Sequence, residues 1–466
     1  MGWAFGNLNN MNDKISVVGL GKLGLGLALS FADAGIETLG VDVNESFVAD
    51  LNKGRSLIVE PQYDEYLQRL GERFRATTSH AEAIEKSDVT FVLVATPSIG
   101  DGRFSNRYVK SALRSLAEAF GSSGKPYHLF VVSSTVVPGS TEKTFIPLIE
   151  QHSGKKYKKD FDVCFDPDFV ALGTVIRDFE NPDFVIVGES SPEAGERIAA
   201  LHKKMCKNDP PIHRMSLISA EVAKVSLNAY ITMKISFANT VANLCEQIPG
   251  TDIDAITNAI GSDRRISPYY LRGGLAFGGT CFPRDTKAFM TISRQYGLRP
   301  TLIEAVEEVN NEQNRHLAKV VGDNLTDERK VSVIGLAFKD KTPVVEASPA
   351  IDLIQELVIN DVDVTVYDPL AADSVKTIFG DEVTYANSID ECLAASPVCV
   401  VTLMSKVFKE AIERFRPDGE LLIIDAWRQL EPAKLNQGVS VVAVGRFSGN
   451  GDEQVQQDRG LKWAKR

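Results

Sequence analysis

Lys14-Ile-Ser-Val-Val18-Gly19-Leu-Gly21-Lys22-Leu23-Gly24 runs on into Leu25 to Ala34 near the start of the chain. A short run of β-forming residues ends on glycines spaced G-x-G-x-x-G, and the pattern then turns helical. A second β-type run, Thr38–Val43, carries Asp42 at its end. Each glycine has a physical task in that setting: Gly19 makes the turn, Gly21 admits a pyrophosphate, and Gly24 lets helix and strand pack. Phosphates then sit at the helix N-terminus, where free N–H groups and the dipole favour anions. An acid at the end of the second strand accepts from both ribose hydroxyls and repels a 2′-phosphate. The pattern therefore predicts NAD, held by Gly19, Gly21, Lys22, Leu23, Gly24 and Asp42.

Working outward, further β-type runs follow at Val89–Ala95, Leu129–Ser134, Val163–Phe165 and Phe184–Val187, most of them separated by amphipathic helical stretches. That alternation predicts a doubly wound parallel sheet, with ligands at the carboxyl ends of its strands. Three strand ends carry candidate polar groups: Thr96-Pro97, Ser134-Thr135 and Asp166-Pro167-Asp168-Phe169. A second alternating series begins at Lys330–Gly335 and continues through Val364–Tyr367, Val398–Leu403, Leu421–Ala426 and Val439–Val444. Its first turn, Gly335-Leu-Ala-Phe338-Lys339, lacks the glycine spacing. The expectation is a smaller Rossmann-like domain without a second dinucleotide, binding a nucleotide through backbone amides and Lys339.

Between the two series, Ser219 to about Gln247 reads as one long helix that bridges domains or forms a subunit interface. Ser219 and Glu221 suit its first turn. Lys224 and Asn228, four apart, share one face. A shorter helix, Ile253 to Ile260, precedes the loop Arg272-Gly-Gly-Leu-Ala-Phe277-Gly278-Gly-Thr-Cys281-Phe-Pro-Arg284-Asp285. Glycines let this backbone approach a ligand, and a cysteine near cationic groups is a candidate nucleophile. Arg264, Arg265, Arg272 and Arg284 crowd this region of a chain whose net charge is −11. Such local enrichment points to a phosphorylated ligand.

Composition sets the outer limits. With 466 residues, 44% apolar and 24% charged, the chain reads as a globular protein of two or three domains. Its acidity argues against a general nucleic-acid binder. No apolar run reaches bilayer length, and the polar stretch Met1 to Asp13 predicts no signal peptide. Six scattered cysteines without a CxxC pair suggest neither disulfides nor a metal site, and a reducing cytoplasm is expected. The tail after Gly449 is polar and is expected to be poorly ordered.

Taken together, these motifs resemble the nucleotide-sugar 6-dehydrogenases, the family of UDP-glucose 6-dehydrogenase and its UDP-N-acetylhexosamine relatives, over residues 14–445. The carriers are Phe277-Gly-Gly-Thr-Cys281-Phe-Pro-Arg284-Asp285, Glu221-Val-Ala-Lys224-Val-Ser-Leu-Asn228, Ser134-Thr135-Val136, Ala337-Phe338-Lys339 and Tyr367-Asp368-Pro369. The resemblance implies an α/β fold of two Rossmann-like doubly wound domains joined by a long central helix. It places an NAD domain at 14–212, a central domain at 213–326 and a UDP-sugar domain at 327–448. It implies oxidation of a UDP-sugar C6 alcohol to a carboxylate with NAD, without metal, in a homodimer or higher homo-oligomer that binds neither nucleic acid nor membrane. Catalytic roles fall to Cys281, Lys224, Asn228, Asp285, Thr135 and Asp168. Thr96, Pro97, Thr135 and Arg284 join the cofactor set. Phe169, Lys224, Asn228, Arg265, Tyr270, Arg272, Phe277, Gly278, Phe338 and Lys339 form the substrate set, with Arg265 reaching the sugar nucleotide of a neighbouring subunit.

The chain departs from the family pattern at three places, one of them Arg284, which stands where lysine is usual and keeps the charge. Leu172 stands where relatives carry a second carboxylate, and Glu346 where they carry an arginine that contacts a cofactor phosphate, a role that Arg428 is a candidate to fill. Two rival functions are a two-electron dehydrogenase of the hydroxyacid or 6-phosphogluconate kind and a catalytically silent nucleotide-sugar-binding regulator.

Overall fold

The computed structural model describes residues 13–100 and 102–447. The N-terminal extension before Asp13 and the tail after Gly449 lie outside the described residues. Two compact units emerge: residues up to Leu227 with Lys287–Leu298, and Asn228–Thr286 with the chain from Arg299 onward.

The first unit is built on eight strands: β1 (Ile15–Val18), β2 (Thr38–Val41), β3 (Phe74–Thr77), β4 (Val89–Val92), β5 (His128–Val132), β6 (Phe161–Phe165), β7 (Val185–Glu189) and β8 (Ile212–Ser216). Their order, β3-β2-β1-β4-β5-β6-β7-β8, puts the switch point between β1 and β4, beside the glycine turn. Every residue of β1, β2 and β4 is buried, as strands covered on both faces must be. One cover is the helix Arg107–Ser122, whose Val109, Leu113, Leu116 and Phe120 form a stripe against the sheet. Each such side chain contributes about 1.5–3 kcal/mol of burial.

The sheet is parallel except at one pairing. β6 and β7 run antiparallel, with Cys164 opposite Glu189 and Phe165 opposite Gly188. The link between them is largely loop, and its one helix, Val175–Glu180, has six residues, about 9 Å of rise. It does not carry the chain back to the start of β6, so β7 enters from the opposite end. Two further strands, β3 and β8, lie outside the sequence expectation. Both are edge strands with exposed polar residues, so they lack the apolar run that marks a central strand.

The second unit carries a six-stranded sheet: β9 (Lys330–Ile334), β10 (Asp363–Tyr367), β11 (Thr384–Tyr385), β12 (Val398–Val401), β13 (Leu421–Asp425) and β14 (Val439–Ala443). The order β11-β10-β9-β12-β13-β14 is wholly parallel and repeats the Rossmann arrangement. The long helix, Leu217–Cys245, begins in the first unit and ends in the second. No helix among the described residues is long and apolar enough to cross a membrane.

Arg428 ties the second unit together. Its side chain is fully buried and forks onto Asp254 at 2.8 and 2.9 Å, while also donating to the carbonyls of Gly273 and Val444. This corrects the suggestion that Arg428 replaces a missing phosphate ligand, because its donors are already spent on the protein. Burial pushes the Asp254 carboxyl up, but the Arg428 bonds outweigh that and hold it below its ordinary value. Asp254→Asn should leave a buried guanidinium without its counter-charge and cost about 3 kcal/mol in denaturant melts at pH 7. A depressed folded-state value means that stability is full above the unfolded carboxyl value and is lost as pH falls through the folded one. The gap between wild type and variant should therefore close in acid.

Candidate active site

At the β1 turn the three glycines separate by what a side chain would meet. Gly19 has φ +94°, and a Cβ there would lie 2.5 Å from the Leu93 carbonyl oxygen. On Gly24 it would lie 1.9 Å from the Gly19 carbonyl oxygen. A Cβ on Gly21 meets nothing within 4 Å. The protein's own packing thus requires glycine at 19 and 24 only, and the room at 21 is what a pyrophosphate needs. The helix that follows, Lys22–Asp33, has no side-chain cap and no acid in its first turn, which leaves its N-terminus suited to an anion.

Asp42 Oδ2 accepts from Leu20 N–H and Oδ1 from Asn44 N–H, both at 3.0 Å. Each oxygen keeps a lone pair for a hydroxyl. Lys22 is exposed and Leu23 half-buried at the same turn; Thr96 is buried and Pro97 exposed beyond β4. These residues fit a bound NAD.

A second cluster in this unit gathers at the ends of β5 and β6. Ser134 Oγ accepts from Val94 N–H and donates to the Val94 carbonyl, each at 2.8 Å, stitching β5 to β4. Ser134 is therefore a structural residue, and Thr135 beside it is buried. Lys224 Nζ donates to the Asp168 carbonyl, lies 3.7 Å from Asp168 Oδ1 and stands 4.8 Å from the centre of the Phe169 ring. Lysine, carboxylate and aromatic face come together here. Leu172 packs against the apolar core of the unit.

Asp166 does not face solvent. It is buried, and both of its oxygens accept from His202 Nε2, at 3.0 and 2.9 Å. Burial alone would strip the His202 proton, yet Asp166 overrides it and raises the imidazole to about 10. Glu221 also escaped the sequence reading in its true role. The long helix starts at Leu217, so Glu221 lies past the first turn and accepts instead from Gly139 and Thr141. Burial lifts its carboxyl above the ordinary value, against those hydrogen bonds.

The second unit holds the cysteine. Cys281 is exposed, whereas the other five cysteines are buried. Its carbonyl accepts from Asp285 N–H at 2.8 Å, which makes it the cap of the helix Phe282–Gln295 and sets its side chain at the positive end of that helix. Asp285 is fully buried; Oδ2 accepts from Asn228 Nδ2 at 2.6 Å and Oδ1 from Arg284 Nε at 3.0 Å. The family resemblance groups Asn228 and Asp285 in one site, and here they bond directly. The sequence reading did not extend a helix from the cysteine. Pro283 at its second position obscured the start, although proline is at home in a first helical turn.

Before the cysteine, Gly278 and Gly279 press the loop onto the Rossmann lobe of the same unit. A Cβ on Gly278 would fall 1.9 Å from the Ala347 carbonyl oxygen, and one on Gly279 would fall 2.6 Å from the Phe338 ring. Phe277 is buried and meets Phe282 edge-on, as does the exposed Tyr270. Arg272 stacks on Trp427 and donates to its carbonyl. Arg265 is exposed and paired with Asp263.

Lys339 is half-buried at the β9 turn. The amides of that turn are committed within the protein: Leu336 and Ala337 donate to Asp368, and Phe338 to the Val344 carbonyl. This corrects the expectation that those amides bind a nucleotide.

Two glycine variants separate cofactor from fold. Gly24→Ala should destabilise the first unit by about 3 kcal/mol, because backbone must move to admit the methyl. Gly21→Ala should melt within about 0.5 kcal/mol of wild type yet bind NAD at least about tenfold more weakly. Unchanged NAD affinity in Gly21→Ala would remove the pyrophosphate from this turn.

Comparison with known proteins agrees with the geometry. Three domains described for the UDP-glucose/GDP-mannose dehydrogenase family match in order: the NAD binding domain at residues 13–206, the central domain at 218–312 and the UDP binding domain at 332–432. The chain is 35% identical to the UDP-glucose 6-dehydrogenase of Haloferax volcanii, covering 89% of this chain and 96% of that one. It is 30% identical to the GDP-mannose 6-dehydrogenase of Pseudomonas aeruginosa, over 88% and 95%. A solved UDP-glucose dehydrogenase from Pyrobaculum islandicum matches with a TM-score of 0.86 at 30% identity, over 96% of this chain and all of that one. The fold, the open glycine cradle and these likenesses together establish that the chain belongs to the UDP-glucose/GDP-mannose dehydrogenase family, NAD-dependent oxidoreductases that act on nucleotide sugars.

Proposed function

We propose that this protein oxidises the C6 alcohol of a UDP-sugar, UDP-glucose first and UDP-N-acetylhexosamines next, to the carboxylate through a covalent bond to Cys281. The observation that carries this is the placement of Cys281, an exposed thiol capping a helix whose first turn buries Asp285 against Asn228. The likeness to relatives named as UDP-glucose dehydrogenases supports glucose as the first sugar to test.

NAD, when bound at the glycine turn, supplies the hydride acceptor for each of the two oxidations. The chain's own residues do the rest. The C6 hydroxyl gives its proton to an ordered water held by Thr135 and Asp168. Cys281 adds as thiolate to the resulting aldehyde carbon, forming a C–S bond and an oxyanion. Lys224 and Asn228 are donors suited to that oxyanion. After the second oxidation the sugar is a thioester, and water cleaves its C–S bond to release the carboxylate and regenerate the thiol. Asp285 holds Asn228 in place for this role. Arg265, Arg272 and Lys339 are assigned to the diphosphate, with Phe169, Tyr270, Phe277, Gly278 and Phe338 around the sugar nucleotide. Arg284 is assigned to the cofactor.

The protein is further proposed to act in the cytoplasm as a homodimer at least. An apolar groove of about 770 Å³ in the second unit, lined by Tyr230, Phe237, Ile260, Ile266 and Leu302, supports self-association.

The test is stoichiometry across UDP-glucose, UDP-N-acetylhexosamines and GDP-mannose. The true substrate should yield two NADH per sugar and a product one oxygen heavier and two hydrogens lighter. Cys281→Ala supplied with the aldehyde should form acid at least about a thousandfold more slowly. One NADH per sugar in the wild type, or a wild-type rate in Cys281→Ala, would end the proposal.

A further inference from the structure

Glu221 lies one turn before Lys224 on the long helix and is almost wholly buried, yet its bonding partners are 80 and 82 residues away in sequence. Its carboxylate accepts from the N–H of Thr141 at 2.9 Å, from the hydroxyl of Thr141 at 2.6 Å, and from the N–H of Gly139. Thr141 begins a π-helical turn, Thr141–Phe145, which leads into the helix Ile146–Ser153, and Gly139 lies just before it. Such turns are rare and concentrate at functional sites. Opening amides of a helical segment have no partner within it, and here the charge-assisted acceptor comes from a different element.

The stretch held in this way follows directly on Thr135. Upstream, Ser134 is stitched to Val94; downstream, Gly139 and Thr141 are gripped by Glu221. Thr135 therefore lies on a short span fixed at both ends. The downstream anchor is on the same helix as Lys224, which is itself oriented by Asp168 and Phe169. All of Glu221's bonds go to this loop, so it has no part in bond making at the sugar.

We propose that Glu221 is a positioning residue, fixing the Thr135 segment to the helical turn that carries Lys224. The proposal rests on the catalytic assignment of Thr135 and Lys224 made above. It predicts a loss of turnover without a matching loss of binding, since a displacement of about 1 Å at reacting groups costs on the order of a hundredfold.

Glu221→Gln removes the charge and turns an amide donor toward one of the donors it must accept from. Its kcat should fall about a hundredfold, with KM for NAD and for the nucleotide sugar within about twofold. Hydrogen exchange at Gly139 and Thr141 should quicken. In a Lys224→Ala background the same change should cost almost nothing more, because the two residues act as one unit. Thr141→Val, which deletes only the hydroxyl bond, should lower kcat severalfold at an unchanged melting temperature, and it carries the test should Glu221→Gln fail to fold. A folded Glu221→Gln with wild-type kcat, or losses that multiply in full with Lys224→Ala, would overturn the proposal. The exchange arm separates it from the chemistry it rests on: unchanged protection at Gly139 and Thr141 overturns the role of Glu221 whatever the turnover.

Discussion

A buried stretch of chain that belongs to no helix or sheet must still find a partner for each N–H and C=O, and residues 273–277 show how this unit meets that demand. Gly273 to Phe277 are all buried. Asn239 accepts from Gly274 N–H at 2.8 Å and donates to the Leu275 carbonyl at 3.0 Å. Asn310 does the same for both backbone groups of Phe277, at 2.7 and 3.1 Å, and Gln313 donates to the Gly274 carbonyl. Three side-chain amides from two helices thus replace the ladder that a strand would have supplied. The segment they hold delivers the glycine pair, and the glycine pair delivers Cys281 to the start of its helix. Without that clamp the thiol would sit on a loop with unpaired buried amides, each costing about 1–3 kcal/mol.

The two Rossmann lobes show how one topology is turned to two uses. Both have an acid after their second strand, and in both it accepts from the turn after the first strand. Asp42 makes one bond per oxygen and stays half-exposed beside an open glycine. Asp368 is buried and takes two amides on each oxygen, from Leu336 and Ala337 and from Leu370 and Ala371. The first acid can still receive ribose hydroxyls; the second has become a structural clamp. A carboxylate in the same place reads as a ligand group or a staple according to how many of its lone pairs the protein has already filled.

That distinction marks what was legible in the sequence. The glycine spacing, the β–α alternation and the Lys224/Asn228 spacing are local, and the sequence showed each of them. Bonds spanning 30 or more residues were legible only where the family resemblance grouped their ends, as for Asn228 and Asp285. Nothing near Asn310 shows that it serves Phe277, and nothing near Glu221 points to Gly139. Nothing near Asp166 points to its partner, His202, which comes 36 residues later. Arg428 looked like a candidate phosphate ligand until its buried fork onto Asp254 was in view. The antiparallel junction of β6 and β7 depends on the path of a mostly irregular link, and hydrophobic pattern says little about such paths. Side chains that satisfy distant backbone are the class of feature that sequence periodicity does not encode.

In the proposed reaction the sugar is carried on Cys281. Acid quench of the wild-type enzyme during steady turnover with UDP-glucose and NAD, followed by peptide mass analysis, tests it most directly. The peptide containing Cys281 should gain the mass of an acyl-linked sugar nucleotide, while those containing Cys164, Cys206, Cys245, Cys392 and Cys399 should not. Turnover to the acid with Cys281 unmodified at every quench time would contradict it.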